Sequence, residues 1–167
     1  MNILIYGGNG WIGGQFCEYL TLNSINHIIS NTRVNTLQDV MNDLNNNLET
    51  THVISFIGRT HGKVDGKIYS TIDYLEQPGK IKDNIRDNLF VPLIIAEACK
   101  IYSKNNRNVH YTYMGTGCIF TYDKKHEYEK EENGFNESDV PNFFGSGYSV
   151  VKGSTDQLMN ILNNESC

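Results

Sequence analysis

The sequence has no excess of positive charge. Its 14 Lys and Arg are outnumbered by 19 Asp and Glu, a formal net charge of −5. With no Lys/Arg cluster to offset that sign, a nucleic-acid partner has no electrostatic support. Long apolar runs are missing too. No stretch approaches the roughly 18 apolar residues of a membrane span, so no membrane partner is expected. The opening MNILIYGGNGWIGG has no basic start and reads as a strand and a turn, not as a signal peptide. Cysteine is sparse: Cys17, Cys99, Cys118 and Cys167 show no metal-ligand spacing, and no metal is expected. Without a secretion signal they are expected as reduced thiols in a cytoplasmic compartment. What is present, 39% hydrophobic and 20% charged residues over a length of 167, suffices for one soluble domain with a real core. No internal repeat or linker divides it.

Periodicity orders the chain. Asn2–Tyr6 is a short apolar run ending in glycines, which predicts a buried strand. Ile12, Phe16, Tyr19 and Leu20 then recur at helical spacing over Trp11–Leu22. His27–Ser30 is a second strand. Thr36 with Asp39 three residues on forms a capping box, predicting a helix to about Asn46. THVISFIG is a third strand, bounded by Gly58. Residues 59–80 read as a long functional loop. Ile81–Lys104 carries one apolar row of Ile81, Ile85, Leu89, Leu93 and Ala96 and a second of Phe90, Ile94 and Ala98. Pro92 must kink or divide this helix. NVHYTYMG is a fourth strand, residues 121–144 a charged surface loop, and Gly147–Leu162 a last helix. Such alternation predicts a parallel sheet with helices on both faces.

YGGNGWIGG follows the first strand and opens the first helix, with Gly7, Gly10 and Gly13 three apart. In that context the spacing reads as a dinucleotide-binding turn. Gly7 permits the tight turn, Gly10 lets backbone approach a pyrophosphate, and Gly13 lets helix and strand pack closely. The amides near Trp11 and Ile12 would face the phosphates. No acid ends the second strand to take a ribose 2′-hydroxyl. Arg33 sits there instead, suited to a 2′-phosphate, which favours NADP over NAD. At the third strand's end Phe56, Ile57 and Gly58 would wall the cofactor, with Arg59, Thr60 and His61 near phosphate or sugar. A lone loop histidine is more often simply solvated.

YSVVK places Tyr148 and Lys152 four apart, on one helix face. A neighbouring ammonium stabilises phenolate and lowers the phenol's pKa, so Tyr148 would donate a proton to a carbonyl near neutral pH. Thr116, after the fourth strand, would bond the same oxygen. Tyr-x-x-x-Lys alone is common by chance. Together with the glycine turn and the strand-end hydroxyl it resembles the extended short-chain dehydrogenase/reductase family. The resemblance implies a Rossmann-type doubly wound parallel sheet, a catalytic Thr116, Tyr148 and Lys152, and a helix asparagine at Asn88 that helps hold a water and the lysine.

YMGTGCIF and GFNESDVPNFFGSGYSVVK narrow the likeness to bifunctional UDP-4-keto-6-deoxyglucose 3,5-epimerase/4-reductases of plants and giant viruses, which complete UDP-L-rhamnose synthesis. A viral member would act in the host cytoplasm. The chemistry agrees. Carbons 3 and 5 flank a C4 ketone, so their hydrogens are acidic through the enolate, and the Cys118 thiol is suited to move them. A buried filler thiol is the plainer reading of a strand-end cysteine. NESDVPNFFGS would lie beside the substrate, with Asn142 bonding the sugar; Phe143 and Phe144 read equally as core. The family implies NADPH, a nucleotide-sugar substrate and a homodimer packed through the second apolar row of residues 81–104 and the last helix. It also implies a further C-terminal substrate domain, so residues 1–167 are expected to be the NADP-binding domain. The competing reading is a non-catalytic dinucleotide-binding or interaction module.

Overall fold

Ile3–Tyr6 is apolar at every position, and as strand β1 it is buried at every position. The computed structural model describes residues 1–130 and 133–164; Cys167 lies outside them. After β1 come helix α1 (Trp11–Leu22), β2 (His27–Ser30), α2 (Leu37–Asn46) and β3 (His52–Ser55). The expected capping box opens α2: Thr36 accepts from the Asp39 amide at 3.3 Å, and Asp39 accepts from the Thr36 amide at 2.9 Å.

Residues 59–80 are more structured than the loop expected there. They form a hairpin, β4 (Gly62–Val64) with β5 (Lys67–Tyr69), followed by a short turn at Ile72–Tyr74. Asp65 (φ 47°) and Gly66 (φ 83°) make the two-residue connection. Asp-Gly between two short apolar runs is a strong local hairpin signal, and the periodicity reading passed over it.

The next helix is divided, as Pro92 requires. α3 (Ile81–Ile85) runs into a π-turn at Arg86–Phe90 and continues as α4 (Val91–Asn105). Proline has no N–H to offer the carbonyl four residues back, which is that of Asn88. Thr155 Oγ1 donates to that carbonyl at 2.6 Å instead. The π-turn adds a residue and rotates the helix face. The buried row of α4 is therefore Val91, Ile95, Ala98, Cys99 and Tyr102, while Ile81, Ile85 and Phe90 are exposed. This corrects the two apolar rows, which ran on across the break in one register.

β6 (His110–Tyr113) and α5 (Gly147–Asn164) complete the elements. The sheet order is β2-β1-β3-β6, all parallel, with Ile3 opposite both His27 and His52. Strand residues alternate between faces. Leu4, Tyr6 and Val53 pack with Val40 and Leu44 of α2 and Ile95 of α4. Ile3 and Ile5 pack with Cys17 and Leu20 of α1. The doubly wound parallel sheet expected from the sequence is present. Residues 121–130 and 133–144 are irregular but not merely solvated: His126 is buried, stacked on Phe135 and held between Asp123 and Asp139.

Candidate active site

Gly7 leaves β1 in the left-handed region, φ 76°, where glycine is favoured. A Cβ there would stand 3.0 Å from the Ile57 backbone nitrogen. Gly13 is tighter still, since a Cβ there would come within 2.3 Å of the Gly7 carbonyl oxygen. α1 thus approaches the turn more closely than any side chain permits. Gly10 caps α1 without a side chain and donates to the Gly7 oxygen at 3.0 Å. The first amides of the helix, at Trp11 and Ile12, have no capping side chain, the arrangement that receives a phosphate.

A cavity of about 290 Å³ opens here, with Gly7, Gly10, Arg33, Phe56, Ile57 and Gly58 among its walls. It lies at the carboxyl ends of β1, β2 and β3, where open α/β sheets bind ligands. A cavity of about 530 Å³ lies at the opposite, amino ends, by Asn2, Asn26 and Thr50, away from all these residues. Arg33 is exposed and has no ion-pair partner among the described residues. The carboxylate behind it, Asp43, is taken by three hydroxyls: Tyr6 at 2.9 Å, Ser30 at 2.7 Å and Thr32 at 2.8 Å. Arg59 is bound to Asp87 at 2.6 Å. A glycine cradle and an uncapped helix start fit the phosphates of a dinucleotide, with Arg33 at the rim.

At the end of β6, Thr116 caps the short turn Gly117–Ile119, and its hydroxyl accepts from the Cys118 amide at 3.2 Å. Tyr148 is buried near the start of α5, with Thr116 and Cys118 among the groups that act on its phenol. Burial raises the Tyr148 pKa, the Thr116 hydrogen bond opposes that rise, and the nearby Cys118 adds to it. Cys118 is exposed, whereas Cys17 and Cys99 are buried, their thiols pushed up by desolvation, Cys99 to about 12. The sequence thus brings one accessible thiol to the hydroxyl pair.

Lys152 lies one turn further along α5, and burial lowers its pKa to about 8. Its Nζ donates to the Met114 carbonyl at 3.1 Å and to the Tyr113 hydroxyl, and lies 4.2 Å from the centre of the Tyr113 ring. The expectation that this ammonium lowers the Tyr148 pKa is therefore not met. Its hydrogens go to β6, and desolvation decides the sign at Tyr148.

Asn88 is buried, and its side chain is bonded at both ends. Oδ1 accepts from the Arg59 amide at 2.9 Å, and Nδ2 donates to the Arg59 carbonyl and to Asn84 Oδ1, both at 2.9 Å. It clamps the chain leaving β3 and reaches the cavity through that chain. Asn142 is likewise committed within its own loop, to the Thr121 amide at 2.8 Å and carbonyl at 3.0 Å. Thr60 and His61 are exposed between Arg59 and β4, while Phe143 and Phe144 are exposed rather than core.

Two residues of the site have partners far along the chain that no motif announces. Tyr113 faces Lys152 from 39 residues away. Glu76 accepts from the Tyr148 amide at 3.2 Å across 72 residues. α5 has no acid in its own first turn, so Glu76 supplies the negative charge that a helix start favours. Tyr74 and Leu75 pack against Tyr148 from the same segment.

No protein-family model matches the chain. A protein of Acanthamoeba polyphaga mimivirus is 44% identical over 165 residues, covering 99% of this chain and 53% of its own. The crystal structure of that virus's UDP-rhamnose synthase matches with a TM-score of 0.83 at 43% identity, over 98% of this chain and 53% of the other. A bifunctional dTDP-4-dehydrorhamnose 3,5-epimerase/dTDP-4-dehydrorhamnose reductase of Arabidopsis thaliana is 32% identical over 158 residues, 95% of this chain and 47% of that protein. In fold alone, a dTDP-4-dehydrorhamnose reductase from Clostridium acetobutylicum matches at a TM-score of 0.70 and 20% identity, covering 98% of this chain and 50% of that one. The likeness to nucleotide-sugar epimerase/reductases read from the motifs is borne out along nearly the whole chain. The chain spans about half the length of these relatives.

Proposed function

We propose that the chain is the cofactor-binding domain of an NADPH-dependent 3,5-epimerase/4-reductase that converts UDP-4-keto-6-deoxyglucose to UDP-L-rhamnose. The observation that carries this is the meeting of Thr116, Cys118 and Tyr148 at the carboxyl end of the same parallel sheet whose glycine turn lines the cavity. Gly7, Gly10 and Gly13 let the dinucleotide approach the backbone, the first amides of α1 meet its phosphates, and Arg33 meets the 2′-phosphate. NADPH, when bound, supplies the hydride. Thr116 donates to the C4 carbonyl oxygen, and Tyr148, kept protonated by burial, gives that oxygen its proton. Cys118, as thiolate, takes the hydrogens at C3 and C5, and an acid on the opposite face of the sugar, from the rest of the enzyme, returns each with inversion. Asn142 acts on the sugar by holding the 121–123 chain, and Thr60 and His61 face it from the β3 exit.

Isothermal titration calorimetry tests the cofactor assignment. NADPH is expected to bind at least about tenfold tighter than NADH, with the preference lost in Arg33→Ala, in line with the ~1.5–3 kcal/mol of hydrogen bonds to charged groups. Equal affinities would remove Arg33 from the reading; no binding of either would remove the site.

The same reading includes a cytoplasmic homodimer. Among the described residues no helix is long and apolar enough to cross a membrane. Ile81, Ile85 and Phe90 stand exposed beside Val150, Leu158 and Ile161 of α5, and apolar patches of this kind mark association surfaces. Light scattering is expected to give twice the chain mass at micromolar concentration. A clean monomer would refute the dimer.

A further inference from the structure

We infer that Tyr113 is the positioning residue of Lys152, holding the buried ammonium by its hydroxyl and its ring face. This rests on reading Lys152 as the charge that serves Tyr148. A buried cation needs acceptors, and among the described residues no carboxylate lies within ion-pair distance of Lys152. Asn88, the helix asparagine, is bonded elsewhere: its amide hydrogens go to Arg59 and Asn84, Oδ1 accepts from the Arg59 amide, and its carbonyl accepts from Thr155. The ammonium turns instead to the end of β6, where it finds the Met114 carbonyl, the Tyr113 hydroxyl and the Tyr113 ring. Hydroxyl and ring are two independent attractions for a cation.

The titratable groups around this pair are few. Tyr148 and Asp156 lie one turn away on either side of Lys152 on α5, and Cys118 lies near Tyr148; Tyr113 comes from β6. Burial, with Tyr148 and Asp156 adding to it, keeps the Tyr113 phenol protonated. Tyr113 therefore holds the ammonium as a neutral acceptor and places no second anion beside Tyr148. Sequence alone hides this: Tyr113 opens the YMGTGCIF stretch, but nothing in that motif marks it as the partner of a lysine 39 residues on.

The test follows the 13Cε resonance of Lys152 with pH in the 167-residue chain, assigned with Lys152→Met. Tyr113→Phe removes the acceptor and keeps the ring. The Lys152 midpoint is expected to fall by about one pH unit or more, because a hydrogen bond to a charged group favours the charged form. Tyr113→Leu removes the ring as well, and the midpoint is expected to fall further. An unchanged or raised midpoint in Tyr113→Phe overturns the inference. If the variants do not fold, the wild type decides. The Tyr113 ring Cζ is expected to titrate with the Lys152 midpoint, as the hydroxyl changes from accepting to donating. A Cζ signal blind to that midpoint overturns the inference equally. Failure of the wild type to bind NADPH would defeat the proposed function and leave this coupling standing.

Discussion

Tyr148→Phe is expected to lower NADPH oxidation by roughly 10²–10⁴-fold, the range of general acid–base groups, while exchange of the sugar's C3 and C5 hydrogens with solvent continues. Cys118→Ser is expected to do the opposite. The thiol is exposed and Tyr148 is buried; Thr116 accepts from the Cys118 amide, and both Thr116 and Cys118 bear on the Tyr148 phenol. Removing the phenol hydroxyl takes away the proton for the C4 oxygen and leaves the thiol in place. Replacing sulfur with oxygen leaves Thr116, Tyr148 and Lys152 in place, but a serine hydroxyl is far too weak a base to form the enolate. Deuterium incorporation from D₂O into the 4-keto sugar, followed by NMR, reads the first step, and absorbance of NADPH reads the second. The assay joins this chain to the second half of the mimivirus relative, which supplies the remaining half of a full-length enzyme. If Cys118→Ser exchanges deuterium as fast as the unaltered chimera, the thiol is filler and another base must be sought.

Gly13→Ala is expected to be the most damaging single change in the cofactor turn. Its Cβ would stand 2.3 Å from the Gly7 oxygen and 3.0 Å from both the Gly7 carbonyl carbon and Gly8 Cα. All three are backbone atoms, so no side-chain rotation relieves the clash, and α1 must move off the sheet. Overpacking of this kind costs about 1–3 kcal/mol, several degrees of Tm at roughly 2–4 °C per kcal/mol for a chain of this size. The displaced helix start would also abolish NADPH binding. Gly10→Ala meets the Gly7 oxygen only at 3.2 Å and should melt closer to the wild type. Thermal melting by circular dichroism decides the first point and calorimetry the second. A Gly13→Ala protein that melts with the wild type and binds NADPH would show that the turn tolerates a methyl group there.

The features legible in the sequence are those that local rules control. Apolar periodicity placed β1, α1, β2, α2 and α5, and their alternation implied the parallel sheet. The α2 capping box needed only Thr36 and Asp39. The tight turn at Gly7 and the close approach at Gly13 followed from where a strand meets a helix. The β4–β5 hairpin belonged to this class as well, since Asp65-Gly66 announces it locally. Other features were settled by tertiary structure because their partners lie far apart along the chain. The buried row of α4 depended on the π-turn ahead of Pro92, and the Asn88 carbonyl depended on Thr155 of α5. The side chains of Asn88 and Asn142 satisfied backbone groups that burial or loop closure had left without partners, which periodicity cannot register. Lys152 and Tyr148 were placed on one face by helix geometry alone. Where the ammonium points was decided by the strand beside it: once buried, it had to take the acceptors that β6 presents, the Met114 carbonyl and Tyr113.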